Sequence, residues 1–452
     1  MSNNIILSIE VLPVEMLHYI FDNLDTQTIL YSIRPLSRLF RSVVNTYNRY
    51  VLDFNFISKS SYYLICQLIH PQNIISLTLS NNERISDRID LFILLVDLRQ
   101  FTGLRSFTLL DIDESRLNFI LKRINLNLLT SFSFNIKKYD DRLIETAAAL
   151  LSSTIARKAL RKLEFDTCDR IPNISWPINY ITEYLTPNNR INIDDLYKIL
   201  QCSPYLHTLI MNDIPKGVIN NLTSIYFRQL TSLSIKNLSV TIDELESFLL
   251  LTSSLVYLKL IGVGHMLDGK RWEQFIEINL PELDKFEFYF NEWTSTDQTR
   301  TDLELIIASF QTLFWIEHKK WFVACEYEHT TLKPNIISLY SIPICKSSVS
   351  YTPTYTKTLL STYPTMMKNE LLIMNNIKSL NLTLNKLTAD DIQVKSVTAH
   401  HPLFRKVTEI NLEFCDDWPL ISLQSLFVFI DISRIVHNFL RTSTQSLFTG
   451  SS

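Results

Sequence analysis

The amino-acid sequence predicts an α/β chain: a three-helix module over residues 1–52, then over 53–440 a curved repeat solenoid with a parallel β-sheet on its concave face and helices outside. Three observations predict it. An apolar stripe at helical spacing opens the chain, an L-x-x-L-x-L pattern recurs after residue 70, and the letters between its anchors are mostly polar. The segment 441–452 reads as a disordered tail.

The first helix starts at Pro13, a residue tolerated in a first turn, and Leu17, Ile20, Phe21 and Leu24 follow at the i, i+3, i+4, i+7 spacing of one apolar stripe. A second short helix begins at Asp25 or Thr26, and a third spans about Leu36 to Tyr47. Pro35 stands between them and is expected to end the second by Ile33. A module of about fifty residues buries too little of its own surface to enclose so many large apolar side chains, so a partner is expected to cover some. The alternative is that these helices merely cap the repeats behind them.

The run Leu12-Pro13-x-Glu15-x-Leu17-x-x-Ile20-Phe21-x-x-Leu24 resembles the LPxExLxxIFxxL start of an F-box, and Leu36 and Phe40 fall near that family's later apolar and aromatic positions. Pro35 departs from the pattern. The resemblance implies a module that attaches to the Skp adaptor of a cullin-containing ubiquitin ligase of the SCF type. Its adaptor-binding residues would then be Leu12, Pro13, Glu15, Leu17, Ile20, Phe21, Leu24, Leu36 and Phe40.

Ten copies of the later pattern are visible: Ile74-Leu77-Leu79, Leu104-Phe107-Leu109, Leu129-Phe132-Phe134, Leu160-Leu163-Phe165, Leu206-Leu209-Met211, Leu230-Leu233-Ile235, Leu255-Leu258-Leu260, Leu283-Phe286-Phe288, Ile377-Leu380-Leu382 and Val407-Ile410-Leu412. From Leu209 to Phe286 the central anchors are 24, 25 and 28 residues apart, inside the range of about 20 to 29 for leucine-rich repeats, which this stretch resembles. Asn82, Cys168, Asn291, Asn385 and Cys415 stand three residues after a last anchor, where such repeats use Asn or Cys to satisfy backbone groups as the strand turns away. Helical pieces lie between copies. One runs from Ile193 to Leu200, with Asp194 as its expected cap, and another from Thr241 to Leu251, with Leu245, Phe248 and Leu249 on one face. A doubly wound sheet would also alternate strands with helices, but its strands read as continuous apolar runs, unlike these.

Alternate residues of a strand face opposite sides, so the letters between anchors should line the concave sheet. They include Ser76, Thr78, Ser106, Thr108, Asn381, Glu409, Asn411 and Glu413. The residues taken as target-binding are Lys162, Glu164, Asp166, Lys236, Tyr257, Lys259, Lys285, Glu287 and Tyr289. A merely solvated sheet is the other reading of the same face. The repeat is lost over 292–375, an irregular or inserted segment. There Trp321, Val323, Cys325 and Tyr327 alternate with Phe322, Ala324 and Glu326, which predicts a strand covered on both faces, and Ser347 to Pro364 reads as an exposed loop.

Composition removes several functions. The 43 Lys plus Arg nearly balance 46 Asp plus Glu and form no long run, which disfavours nucleic-acid binding. No apolar stretch is long enough for a membrane span and no leader is visible, so a cytoplasmic or nuclear protein is expected. Six glycines, against roughly thirty at the usual 7%, leave little for phosphate loops or nucleophile elbows. Gly262-x-Gly264 lacks the third glycine of a dinucleotide fingerprint, since Leu267 holds that position. His318, Cys325, His329 and Cys345 match no zinc spacing, so no metal and no cofactor are expected. The expected role is non-catalytic: the target-recognition subunit of a ubiquitin ligase, or else a repeat scaffold outside any ligase.

Overall fold

In the computed structural model the chain is mixed α/β with mostly parallel strands. The structure describes residues 9–55, 57–81, 88–138, 151–167, 176, 181–188, 191, 193–214, 226–294, 300–329, 335–351, 356–363, 376–384, 404, 406–414, 430 and 437–442. It divides into two units, Met1–Met211 and Asn212–Ser452.

The first unit opens with α1 (Val14–Phe21), a wide helical turn at Thr28–Ile33 and α2 (Arg38–Thr46). The helical turn stops at Ile33, and residues 34–36 form the turn that Pro35 demands. Ser37 caps α2 by accepting from the Phe40 N–H. Strand–helix repeats follow: β1 (Tyr50–Asp53), α3 (Lys59–Leu68), β2 (Ile74–Ser80), α4 (Arg88–Leu95), β3 (Ser106–Asp113), α5 (Glu114–Leu121), β4 (Ser131–Lys138), β5 (Lys162–Thr167), β6 (Tyr184–Pro187), α6 (Ile193–Cys202) and β7 (Thr208–Met211). Each strand pairs parallel with the next in chain order.

The register explains the recurring leucines. Leu77, Phe107, Phe132, Leu163, Leu185 and Leu209 stand opposite one another in successive strands, and all are 0% exposed. Phe107 stacks on Phe132, and Phe134 stacks on Phe165 one row along. Each such side chain contributes on the order of 1.5 to 3 kcal/mol of burial energy.

In the second unit β8 (Ser232–Leu238), α7 (Ile242–Leu249), β9 (Tyr257–Val263), α8 (Gly269–Asn279) and β10 (Lys285–Thr294) continue the parallel pattern. Thr241 caps α7 through a reciprocal pair with Glu244, and Leu245, Phe248 and Leu249 are buried as their spacing predicts. After α9 (Arg300–Ala308) the pattern changes. Strands β11 (Val323–His329), β12 (Asn335–Ser341) and β14 (Thr356–Ser361) join β10 antiparallel, in the order β10-β12-β11-β14. A separate parallel sheet contains β13 (Ser348–Tyr351), β15 (Ser379–Leu384), β16 (Glu409–Phe414) and β17 (His437–Thr442). Ala324, Tyr340 and Ile344 share one core with Ile377, Leu380, Val407 and Ile410, so the antiparallel strands pack against this second sheet. Val323, Ala324 and Cys325 are each 0% exposed, as a strand covered on both faces requires.

Four features differ from the sequence expectation. Strands β1, β6 and β17 lie outside the ten recognised copies. Three strands run antiparallel within 292–375, which the sequence marks only as an irregular or inserted segment. Ser347 to Pro364, read as a loop, contains β13 and all of β14; its Thr and Tyr residues favour pleated structure despite their polarity. The strand exits also use other residues than predicted. Asn81 accepts from the Ile89 N–H, Asp113 from Arg116 and Ser115, and buried Asp213 from the Ile214 and Ser239 N–H groups. Asn291 instead lies inside β10 and accepts from the Ser338 hydroxyl, because the antiparallel partner prolongs that strand. Asn82, Cys168, Asn385 and Cys415 fall outside the described residues. Asp194 lies in the first turn of α6 rather than ahead of it.

Among the described residues no helix is long and apolar enough to cross a membrane, and no group of three or more His, Cys, Asp or Glu is placed to hold a metal. Gly262 finds its explanation in packing. It pairs with Leu238 across a β8 bulge, and a Cβ there would sit 2.5 Å from the Leu238 Cβ and closer still to its carbonyl oxygen. Gly262→Ala is therefore expected to lower stability by about 1 to 3 kcal/mol in urea unfolding.

Asp113 supplies a pH test. Burial works to raise its carboxyl, but hydrogen bonds from Ser115 and Arg116 outweigh that and hold it below its ordinary 3.8. Its contribution is full above that value and is lost as pH falls below it. Asp113→Asn should cost about 1 kcal/mol at pH 7 and flatten the loss of stability below pH ~4.

Candidate functional site

The N-terminal helices sort their apolar residues onto two sides. Leu17 and Phe21 are each 1% exposed and Phe40 is 5% exposed, packed with Ile29, Leu30, Val43, Val44 and Tyr47. The Tyr47 ring meets Phe21 and Tyr50 edge-on, and its hydroxyl donates to Asp22, which Arg49 also pairs. Leu17, Phe21 and Phe40, expected at a docking face, are thus core residues of this chain. The i, i+4 stripe of a small amphipathic helix faces the core its own module can build. Ile20 and Leu24 are half-buried, whereas Leu12, Pro13, Glu15 and Leu36 are exposed.

Around those open positions lies an apolar surface that the first stripe did not reveal. Val11, Val14, Met16, Tyr19 and Leu39 are all exposed, with Val11 at 75%, Tyr19 at 63% and Leu36 at 68%. Leu12, Met16 and Tyr19 follow one another at i, i+4, i+7, so a second stripe was legible. This concentration of large apolar side chains marks an interaction site.

Hydrogen bonds join the module to the first repeat. Thr26 donates its hydroxyl to the Val51 carbonyl on the free edge of β1, Tyr31 donates to the Ser61 carbonyl of α3, and Tyr50 donates to the Val44 carbonyl. Arg88 reaches back to the Phe54 and Asn55 carbonyls.

On the polar sheet faces each unit carries its own set. In the first, Lys162 is exposed and lies 3.7 Å from half-buried Glu164, while burial and nearby Asp111 push the Asp166 carboxyl up. In the second, Lys236 is exposed, and Tyr257, Lys259, Lys285, Glu287 and Tyr289 form one cluster on β9 and β10. Tyr257 donates to Glu287 at 2.7 Å, and Lys285 pairs with the same carboxylate at 2.6 Å. Burial works to raise Glu287, but these partners hold it below its ordinary range. Lys259 donates to the Cys345 carbonyl, and the Lys346 ammonium sits 3.6 Å from the centre of the Tyr289 ring. Tyr289 also stacks on Tyr340. Lys346 and Tyr340 carry no repeat signal and sequence reasoning missed them, while Cys345 was weighed only as a metal ligand. Burial pushes the Cys345 thiol up to about 11, which leaves it unreactive at neutral pH.

Residues 9–52 match the family model of the F-box domain, so the exposed apolar surface belongs to an F-box. No curated protein matches the chain.

The burial contrast sets an expected outcome. Leu17→Ala and Phe21→Ala should each cost about 2 to 5 kcal/mol, whereas Leu36→Ala should shift the thermal midpoint by little. Circular-dichroism melts of the three variants check this.

Proposed function

We propose that this chain is the target-recognition subunit of an SCF-type ubiquitin ligase. The observation that carries the reading is an F-box match over a module whose surface holds many large apolar side chains. On this reading the Skp adaptor covers Leu12, Pro13, Met16, Tyr19, Leu36 and Leu39, and a cullin binds through that adaptor. Glu15 rims the contact, Ile20 and Leu24 back it, and Leu17, Phe21 and Phe40 act by holding the helices in place.

The strand repeats resemble leucine-rich repeats, and their polar face would hold the target. Catalysis then lies with the partners. The chain supplies proximity, raising the effective concentration of a target lysine near the conjugating enzyme. Lys162, Glu164, Asp166, Lys236, Tyr257, Lys259, Lys285, Glu287 and Tyr289 are the residues assigned to target contact.

Co-purification with the Skp adaptor tests the first half. Leu12→Ala with Pro13→Ala should abolish it while leaving the melting curve of the whole chain unchanged. Retention of the adaptor by this double variant rejects the docking surface. Failure of the unaltered chain to bind any Skp adaptor favours the rival reading, a repeat scaffold outside the ligase, to which the Pro35 turn gives support.

A further inference from the structure

The second half of the F-box carries charge of one sign. From Thr26 to Leu52 the chain has four arginines, Arg34, Arg38, Arg41 and Arg49, and no aspartate, glutamate or lysine, although the whole chain has a formal net charge of -3 at pH 7. Arg49 pairs with Asp22 at 3.1 Å. Arg34 is half-buried, and its field reaches the buried Tyr50. Arg38 and Arg41 are exposed, and among the described residues neither guanidinium lies within 4.0 Å of a carboxylate, exposed Glu15 on α1 included. The acids that flank this stretch are engaged by their own loops: Asp25 accepts from Thr28, and Asp53 accepts from the Asn55 N–H.

Their position works against the helix itself. Arg38 opens α2 and Arg41 follows three residues on, on the same side, so two like charges lie together toward the end where the helix dipole is already positive, with no acid in the first turn. By contrast α5, α6 and α7 each have acids there. Solvent screens this repulsion, and a carboxylate facing both guanidinium groups would remove it. The two arginines also alternate with Leu36 and Leu39, which are 68% and 40% exposed, so the charges continue the apolar docking surface. We infer that the α2 side of this surface seats an acidic segment of the Skp adaptor, with Asp or Glu side chains on Arg38 and Arg41 beside the apolar contact at Leu36 and Leu39. The inference rests on the reading of residues 9–52 as the adaptor-binding module. Charge complementarity and continuity with the apolar surface carry it: a guanidinium offers a planar fork that fits a carboxylate, and like charges at the rim steer an oppositely charged partner.

The test is the association rate of the full chain with a purified Skp adaptor, measured across a salt series. Arg38→Glu with Arg41→Glu should slow association about tenfold or more at low salt, and the gap from the parent should close toward about 1 M salt, where exposed charges are screened. Arg38→Lys with Arg41→Lys keeps both charges and should retain most of the rate. Exposed Arg99 and Lys122 on the repeats supply the control: Arg99→Glu with Lys122→Glu makes the same change in net charge and should associate like the parent. The reversal at 38 and 41 puts acids where the α2 dipole favours them, so its melting curve should not fall; if it does, Arg38→Gln with Arg41→Gln replaces it. Parent-like association of the reversed variant, or equal slowing by the control, overturns the inference yet leaves adaptor docking standing. A parent chain that binds no Skp adaptor sinks both.

Discussion

The alternation of a strand is the constraint from which the rest follows. Once Leu77, Phe107, Phe132, Leu163, Leu185 and Leu209 stack in register on one side, the residues between them have only the other side to occupy. A one-residue slip in any strand would expose its anchors and bury a serine, lysine or glutamate. The polar face is therefore a by-product of core formation, and its residues are free to vary. In the second unit the same logic places Leu233, Leu258 and Phe286 inside and sets Tyr257, Lys259, Lys285 and Glu287 facing outward.

Repetition made this part of the fold legible. An anchor pattern written ten times averages out local ambiguity, so the paired strands and the helices at Ile193 and Thr241 stood out. Strand β6 escaped because Thr182 and Pro187 hold the anchor positions around Leu185, and β1 because Arg49 stands three residues ahead of Leu52. In the antiparallel block the strand at Val323–His329 was legible, but its direction was not, because side-chain alternation is the same in parallel and antiparallel strands. At the exit of β2 Asn81 supplies a cap, next to the expected Asn82, which lies outside the described residues. The cap must meet a particular helix N–H, and spacing alone does not specify which.

The candidate surfaces were legible in part. Position 17 and position 21 belong to the stripe that any sequence reading finds first, yet such a stripe reports only that something covers it, and here the covering group is α2 and the Tyr47 ring. The surface left open shows in the residues off that stripe, where an ordinary surface helix would be polar. On the sheet side, β9 and β10 could be placed from anchor spacing. The segment at residues 344–346 could not, because its contact with Lys259 and Tyr289 spans more than fifty residues of intervening chain with no pattern to connect them.

The seam between the module and the first repeat bears directly on the proposed role. Only the short stretch after α2 separates the last helix from β1, and the Tyr50 ring belongs to both, packed on Tyr47 and hydrogen-bonded to the Val44 carbonyl. Thr26 meanwhile caps the open edge of β1 at Val51, which serves two ends: it blocks stray strand pairing there and locks the helices to the sheet. A flexible tether would let a bound target sample a large volume and dilute the lysine to be modified. Hydrogen bonds thus tie the F-box helices to the first strands on several sides. On the proposed reading, such a seam would restrict how far the strands of the first unit can stray from a bound adaptor.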